Sequence, residues 1–172
     1  MTYWLRQFIS STNFALPYPE PRIIEMTDTD YMQQALREAA NAFAIGEIPV
    51  GAVVVCQNRI IARAHNQTEK LTDVTAHAEM LAITAAAHHL GAKYLPECTL
   101  YVTLEPCLMC AGAIYWAQLG KIVYGASDEK RGYKRLVEAS PYNILHPKTE
   151  IISGVLADEC AQLMRNFFSN KR

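Results

Sequence analysis

The chain has 172 residues, of which 51% are hydrophobic and 19% are charged. These proportions suit one globular domain with a sizeable core, and they exclude an intrinsically disordered chain. The net charge of −1 gives no overall positive field. Any binding to nucleic acid must therefore depend on a local basic patch.

The five cysteines are an odd number, which argues against a disulfide framework and favours a reducing compartment. The N-terminus does not resemble a secretory signal, and no apolar stretch is long enough to span a bilayer. We therefore expect a cytoplasmic protein with no membrane partner.

Residues 1–26 contain several aromatic residues and prolines and show no periodicity, which indicates an N-terminal arm or extension. From Thr27 onward the pattern is regular and predicts a single domain over residues 27–172. Thr27 and Asp30 have the spacing of a capping box, and apolar residues then recur at helical spacing up to Gly46. This segment is the first predicted helix.

The elements that follow alternate between short β-branched runs and helical patterns. In chain order we predict a hairpin over residues 50–64 turning at 57–58, a helix over 76–90 ended by Gly91, a strand over 99–104, a helix over 107–119 ended by Gly120, a strand over 121–124, a strand over 150–152 and a helix over 157–168. Such alternation predicts an α/β fold with three layers and a largely buried sheet.

Two short motifs supply a set of zinc ligands. His77 offers an imidazole, and Cys107 and Cys110 form a Cys-x-x-Cys pair whose thiolates can share one ion. A catalytic zinc has three protein ligands and keeps its fourth position for water. Glu79, two residues after His77, is a carboxylate suited to transfer the protons of that water. We therefore predict one catalytic Zn²⁺ per chain, with Glu79 as the acid/base group.

Both motifs are predicted to open helices. The N-terminus of a helix carries partial positive charge and unpaired N–H groups, which stabilise thiolates and leave donors free for a developing anion. Pro106 fits just before or at the first helical position, where its missing N–H has no cost.

Two other interpretations of the cysteine pair remain open at this point. A structural zinc knuckle would take Cys56, Cys98 or Cys160 as a fourth ligand. A redox pair of the thioredoxin type is also possible, although Glu79 and His77 have no role in it.

The order His-x-Glu and then Pro-Cys-x-x-Cys resembles the signature of zinc-dependent nucleobase deaminases. From about Tyr31 to Phe168 the chain is similar to bacterial tRNA adenosine deaminases, which convert the wobble adenosine of an anticodon to inosine. The similarity is carried by residues 48–53 (IPVGAV), 75–79 (TAHAE), 100–107 (LYVTLEPC), 109–113 (MCAGA) and 154–160 (GVLADEC). It implies a cytidine-deaminase-like α/β/α fold with a mixed sheet of about five strands, a homodimer and a tRNA anticodon stem-loop as substrate.

The resemblance also implies residue roles. Asn66 would contact the flipped nucleotide, Ala78 would offer its backbone N–H to the base, and Asp128 would lie near the RNA backbone. The chain departs from the family pattern at residues 132–135 (GYKR) and 143–147 (NILHP). A basic cluster next to this departure would bind phosphates; its members are Lys130, Arg131, Lys134 and Arg135.

Two further functions compete with the tRNA deaminase. A deaminase of a free base such as guanine or cytosine would use the same metal ligands but would need no basic rim. A non-catalytic, zinc-stabilised RNA-binding module would need the basic rim but not Glu79.

Overall fold

The structure, a computed structural model, describes residues 26–137 and 144–170. Apart from Met26, the predicted N-terminal arm lies outside the described residues, and so does residue 143 of the departing segment. The described elements are α1 (Asp28–Ala44), β1 (Gly51–Cys56), β2 (Arg59–His65), α2 (Thr68–Leu71), α3 (Ala78–Leu90), β3 (Cys98–Leu104), α4 (Leu108–Ala117), β4 (Lys121–Ala126), α5 (Tyr133–Val137), β5 (Glu150–Ser153) and α6 (Ala157–Ser169).

The strands form one five-stranded sheet in the order β2-β1-β3-β4-β5. β1 is antiparallel to both of its neighbours, whereas β3, β4 and β5 are parallel to one another. The prediction of a mixed sheet of about five strands is therefore confirmed. In the parallel part, each strand must be followed by a crossover, and α4 provides the crossover from β3 to β4.

Helices cover both faces of the sheet, which confirms the three-layer arrangement. Alternate residues of the central strands point to opposite faces, so Val54 and Leu100 belong to one apolar cluster and Val53 and Tyr101 to the other. The first cluster contains the small buried side chains of α3 and α4, and the second contains those of α1 and α6.

The helix α1 packs very closely on the beginning of β1. A Cβ atom at Gly51 would meet the backbone carbonyl of Ala35 and the backbone nitrogen of Ala39, so only glycine fits there. The Gly51 N–H donates to Thr103 Oγ1 at 3.2 Å, which also ties this end of β1 to β3. Gly51 therefore sets the distance between the helix layer and the sheet.

The capping box is present: the Thr27 side chain accepts a hydrogen bond from the Asp30 N–H, and the Asp30 carboxylate accepts one from the Thr27 N–H. The predicted end of α4 at Gly120 is wrong, because the helix stops at Ala117 and Gln118 takes the left-handed conformation with φ of 52°. Glycine is needed at position 120 for a different reason. A Cβ atom there would clash with the backbone carbonyl of Pro96.

Two short helices were not predicted. α2 and α5 have four and five residues, too few for the apolar periodicity that identifies an amphipathic helix in a sequence. None of the helices within residues 26–137 and 144–170 combines the length and the hydropathy that a membrane span requires.

Candidate metal centre and active site

The first residues of two helices build the candidate metal centre. His77 is the N-cap of α3 and Cys107 is the N-cap of α4, and both have extended backbone conformations. Neither side chain caps its own helix, so the imidazole and the thiol remain available to a ligand. Cys110 follows in the first turn of α4 and is fully buried.

The three candidate ligand atoms converge on one point. His77 Nδ1 lies 3.7 Å from Cys107 Sγ and 3.5 Å from Cys110 Sγ, and all three atoms lie within 4.8 Å of one another. Zinc–sulfur bonds of about 2.3 Å and zinc–nitrogen bonds of about 2.0 Å at tetrahedral angles place nitrogen and sulfur about 3.5 Å apart. The residues therefore fit a tetrahedral zinc ion.

The three groups share protons through their hydrogen bonds. Hydrogen bonds from Cys110 and His77 outweigh the effect of burial and lower the pKa of Cys107 to about 4. The hydrogen bond to Cys107, together with burial, raises the pKa of Cys110. Binding of a divalent metal requires thiolates and a neutral imidazole, and it therefore releases these protons.

Glu79 lies beside the cluster without belonging to it. Its side chain is only 4% exposed, and burial raises the pKa of its carboxyl group. The carboxylate accepts a hydrogen bond from the Cys110 thiol. A buried carboxylate beside three metal ligands is placed to exchange protons with a molecule bound at the fourth metal position.

The remaining cysteines do not complete a structural zinc knuckle. Within the described part of the chain, His77, Cys107 and Cys110 form the one group of potential ligands with this spacing, and no fourth cysteine joins them. Cys98 pairs with Cys56 between β3 and β1, and Cys160 packs against Gly125 in the cluster on the other face of the sheet.

Asn66 is held by a buried carboxylate that the sequence analysis missed. Asn66 Nδ2 donates to Glu47 Oε2 and to Thr68 Oγ1, both at 3.1 Å. Glu47 is 1% exposed and also accepts the Lys70 N–H at 2.8 Å. Because the Asn66 amide nitrogen is occupied in this way, the amide has a fixed orientation. The sequence does contain a signal for Glu47. It is a carboxylate in an otherwise apolar stretch between a predicted helix and a predicted buried strand.

Hydrogen bonds outweigh burial at Glu47. Burial alone would raise the pKa of this carboxyl group, but its donors lower the pKa below the ordinary value. The donors are the backbone N–H groups of Lys70 and Glu69 and the side chains of Thr68 and Asn66. Glu47 thus stays ionised in the protein interior without a cationic partner in these contacts.

The segment that carries Asn66 is attached next to the segment that carries His77 and Ala78. The Gln67 N–H donates to the Ala76 carbonyl at 3.0 Å, which fixes the segment after β2 next to His77. Ala78 is the first residue of α3 and is buried, and its N–H has no acceptor within the helix. The loop that carries Asn66 therefore lies next to the start of α3, where His77 and Ala78 are located.

Comparison with known proteins agrees with this geometry. The family profile of the MafB19-like deaminases matches residues 26–172. The tRNA-specific adenosine deaminase of Agrobacterium fabrum is 44% identical over 145 residues, which cover 84% of this chain and 95% of the relative. The chain belongs to the tRNA-specific adenosine deaminase family.

Solved structures give the same result. A structure from a study of A-to-I editing by tRNA:A34 deaminases has a TM-score of 0.73 and 43% identity, covering 78% of this chain and 99% of that one. The guanine deaminase of Bacillus subtilis superposes with a TM-score of 0.57 and 38% identity, covering 67% of this chain and 71% of that one. The fold of the tRNA adenosine deaminase family is therefore shared with enzymes of free bases.

In this member of the tRNA adenosine deaminase family, Asp128 organises the loop after β4. Asp128 Oδ1 accepts the N–H groups of Lys130 and Arg131, both at 3.0 Å, and the Asp128 carbonyl accepts the Gly132 N–H at 2.9 Å. One carboxylate oxygen of Asp128 therefore stabilises the loop itself. Asp128 thus has a structural role in addition to its expected position beside the RNA.

A second buried carboxylate attaches this loop to the metal motif, and it too was missed. Glu105 is 5% exposed and accepts the N–H groups of Asp128 at 3.1 Å and of Lys134 at 3.0 Å. A Cβ atom at Gly132 would meet the Glu105 carboxylate, so glycine is needed for this approach. Because Glu105 is two residues before Cys107, the loop with Asp128 is fixed next to the metal centre.

The predicted basic cluster is less uniform than its sequence suggests. All four residues are exposed, Lys130 and Arg131 on the loop and Lys134 and Arg135 in α5. Lys134 lies over the ring of Tyr124, with Nζ 5.1 Å from its centroid, and Arg135 donates to the Lys130 carbonyl at 3.5 Å. Of the four, Lys130 and Arg131 are therefore the stronger candidates for phosphate contacts.

We predict that Glu47→Gln destabilises the protein by about 1–3 kcal/mol at pH 7, because an amide cannot accept all the hydrogen bonds that converge on the carboxylate. The wild-type pKa is lowered, so this stabilisation is present above the pKa of the unfolded chain and is lost as the pH falls through the folded value. Urea unfolding of both proteins between pH 7 and pH 3 measures the difference.

The difference in unfolding free energy should shrink toward the acid end of this range. A difference that stays constant with pH would contradict an ionised Glu47. Glu69→Gln is the matched control, because Glu69 is exposed and offers a backbone N–H that the substitution retains.

Proposed function

We propose that the protein catalyses the zinc-dependent, hydrolytic deamination of adenosine to inosine at the wobble position of tRNA. The observation that carries the proposal is the group of three metal ligands with a buried, non-ligating carboxylate beside it. The names of the relatives support the substrate. A non-catalytic zinc module would gain nothing from an acid buried at this place.

A zinc ion held by His77, Cys107 and Cys110 would supply Lewis acidity and an activated water molecule. Glu79 accepts a proton and returns protons to the ring nitrogen and the departing amine of the substrate. The Ala78 N–H, free at the start of α3, donates to the bound base, and Asn66 holds the nucleotide through its fixed amide. Ammonia and inosine are the products.

Replacing Glu79 by Gln should separate chemistry from metal binding. We predict that Glu79→Gln keeps its zinc and its fold but loses about 10²–10⁴-fold in kcat, because the amide cannot transfer protons. Cys110→Ala, the comparison variant, should lose zinc and also stability, since binding energy for the metal contributes to folding. Zinc is measured by elemental analysis and turnover by inosine formation in an anticodon stem-loop. Normal turnover of Glu79→Gln would exclude Glu79 as the acid/base group.

The same assay tests the competing activity. The likeness to guanine deaminase makes a free base the alternative substrate. Ammonia release is therefore measured in parallel with the stem-loop, guanine and cytosine. Turnover of guanine or cytosine with none on the stem-loop would overturn the proposed substrate and leave the metal chemistry intact.

The exposed Lys130 and Arg131 should contact phosphates of the tRNA. We predict that the double variant Lys130→Ala/Arg131→Ala binds the stem-loop more weakly and shows a log–log salt dependence flatter by roughly 0.7–0.9 for each phosphate that is no longer neutralised. Binding is measured in the Glu79→Gln background, where the substrate is not consumed. The control variant Arg37→Ala/Arg59→Ala changes the charge equally, at exposed residues of α1 and β2. Equal slopes for the two double variants would exclude the proposed phosphate contacts.

The outer side of α4 supports the proposal of a homodimer. α4 is apolar on all sides, and its exposed face carries Leu108, 50% exposed, and Trp116, 76% exposed, two turns apart with Gly112 between them. An apolar stripe of this kind marks an interaction site, and the family resemblance makes a second copy of the chain its occupant.

We predict that Trp116→Glu converts the dimer to a monomer, because a buried charge would replace the largest exposed apolar side chain of the stripe. Phe168→Glu is the control, since Phe168 is 49% exposed on α6, on the other side of the sheet. Sedimentation velocity gives the oligomeric state of both variants. A wild-type protein that sediments as a monomer would refute the dimer.

We also propose a cytoplasmic location, which a tRNA substrate favours.

A further inference from the structure

Two cysteines far from the metal centre face each other across the sheet. Cys56 is the last residue of β1, Cys98 is the first residue of β3, and the two are direct partners in the antiparallel pairing. Directly opposed residues of antiparallel strands have Cα atoms about 4.5 or 5.5 Å apart, depending on the hydrogen-bond pattern. Both distances lie within the range of about 4.4–6.8 Å that a disulfide requires.

The two side chains also lie on the same face of the sheet, because both belong to the apolar cluster that α3 and α4 cover. Their thiols hydrogen-bond to each other. Burial, reinforced by this hydrogen bond, raises the pKa of Cys98 to about 12. The pair therefore already has the contact that a sulfur–sulfur bond needs, without movement of the strands.

One member of the pair is open to solvent and the other is not. Cys98 is 2% exposed, whereas Cys56 is half-buried and lines a surface cavity of about 210 Å³ together with Arg59 and His89. A small oxidant can therefore reach the Cys56 sulfur, and the Cys98 sulfur lies directly behind it.

We propose that Cys56 and Cys98 form a site of reversible disulfide formation, oxidised by a peroxide, that is independent of the metal centre. The proposal uses neither the metal ligands nor the substrate, so it stands whether or not the proposed function is correct.

The reaction has two steps. The Cys56 sulfur attacks one peroxide oxygen, the O–O bond breaks, and Cys56 becomes a sulfenic acid while one water leaves. The Cys98 sulfur then attacks the Cys56 sulfur, the S–O bond breaks, and the departing hydroxide takes the Cys98 proton to give a second water. In total, two thiols are oxidised to one disulfide and hydrogen peroxide is reduced to two waters.

The position of the pair separates it from the metal-binding thiols. Cys98 begins β3, whereas Cys107 follows the other end of the same strand. Seven residues of extended strand span about 20 Å. Oxidation at Cys56 and Cys98 therefore joins β1 to β3 at the end of the sheet that is remote from the ligands, and zinc should stay bound.

The test treats the zinc-loaded, full-length protein with hydrogen peroxide and then alkylates the remaining thiols in denaturant. Digestion with trypsin and chymotrypsin separates Cys98 from Cys107, because chymotrypsin cleaves after Tyr101. We expect a peptide pair joined through Cys56 and Cys98, with the loss of two hydrogens. A chromophoric chelator present during oxidation should detect no released zinc, and dithiothreitol should restore both thiols.

Single-cysteine variants identify which two cysteines form the cross-link. They also show that the result does not depend on a general loss of stability. Cys56→Ser changes a half-buried residue and should abolish the cross-link, as should Cys98→Ala, while the control Cys160→Ser should leave it unchanged. The wild-type protein should also show a higher Tm after oxidation, and Cys56→Ser should show no such rise. Full alkylation of Cys56 and Cys98 after oxidation, or a cross-link that forms only when zinc is released, would overturn the proposal.

Discussion

The site depends on one constraint, the convergence of two helix N-termini at the same edge of the sheet. α3 and α4 contact each other on one face of the sheet, and both contribute small or branched buried residues, such as Ala82 and Ile114, to the same apolar cluster. Because the two helices begin at the same edge, His77 and Cys107 meet although thirty residues separate them. The partial positive charge of both termini then favours thiolate and leaves N–H groups unpaired at the place where a substrate would bind.

Two buried carboxyl groups fix the loops that lie beside these helix starts. Glu47 and Glu105 have no cationic partner in the hydrogen bonds described here, and each is satisfied mainly by N–H donors from a loop. A buried carboxyl group that lost these donors would be left unsatisfied at a cost in free energy, so the hydrogen bonds stabilise this conformation of each loop. Glu47 fixes the loop of Asn66 and Glu105 fixes the loop of Asp128. Hydrogen bonds to buried carboxyl groups thus help to order both loops.

The fold and the metal ligands can be predicted from the sequence. The long-range hydrogen bonds that hold the loops around the site cannot. The three-layer fold, the hairpin and the helices that carry the ligands follow from apolar periodicity and β-branched runs, and the metal ligands follow from spacing and chemistry. The end of α4 was mispredicted because Gly120 serves a close approach to Pro96 and not a helix cap. Glu47 and Glu105 were missed because their hydrogen bonds join residues 19 or more positions apart, and no local pattern records such a contact.

The candidate metal centre and the proposed RNA-contacting loop occupy different parts of this fold. His77, Glu79, Cys107 and Cys110 lie at the starts of α3 and α4, which the rigid sheet positions. The loop from Asp128 to Arg135 lies after β4 and departs from the family pattern in sequence, yet Glu105 fixes it beside Cys107. The same fold occurs in a guanine deaminase, whose name gives a free base as substrate. Under the proposed function, the surface that this loop presents would favour a polynucleotide, because its exposed cations can contact phosphates that a free base does not have.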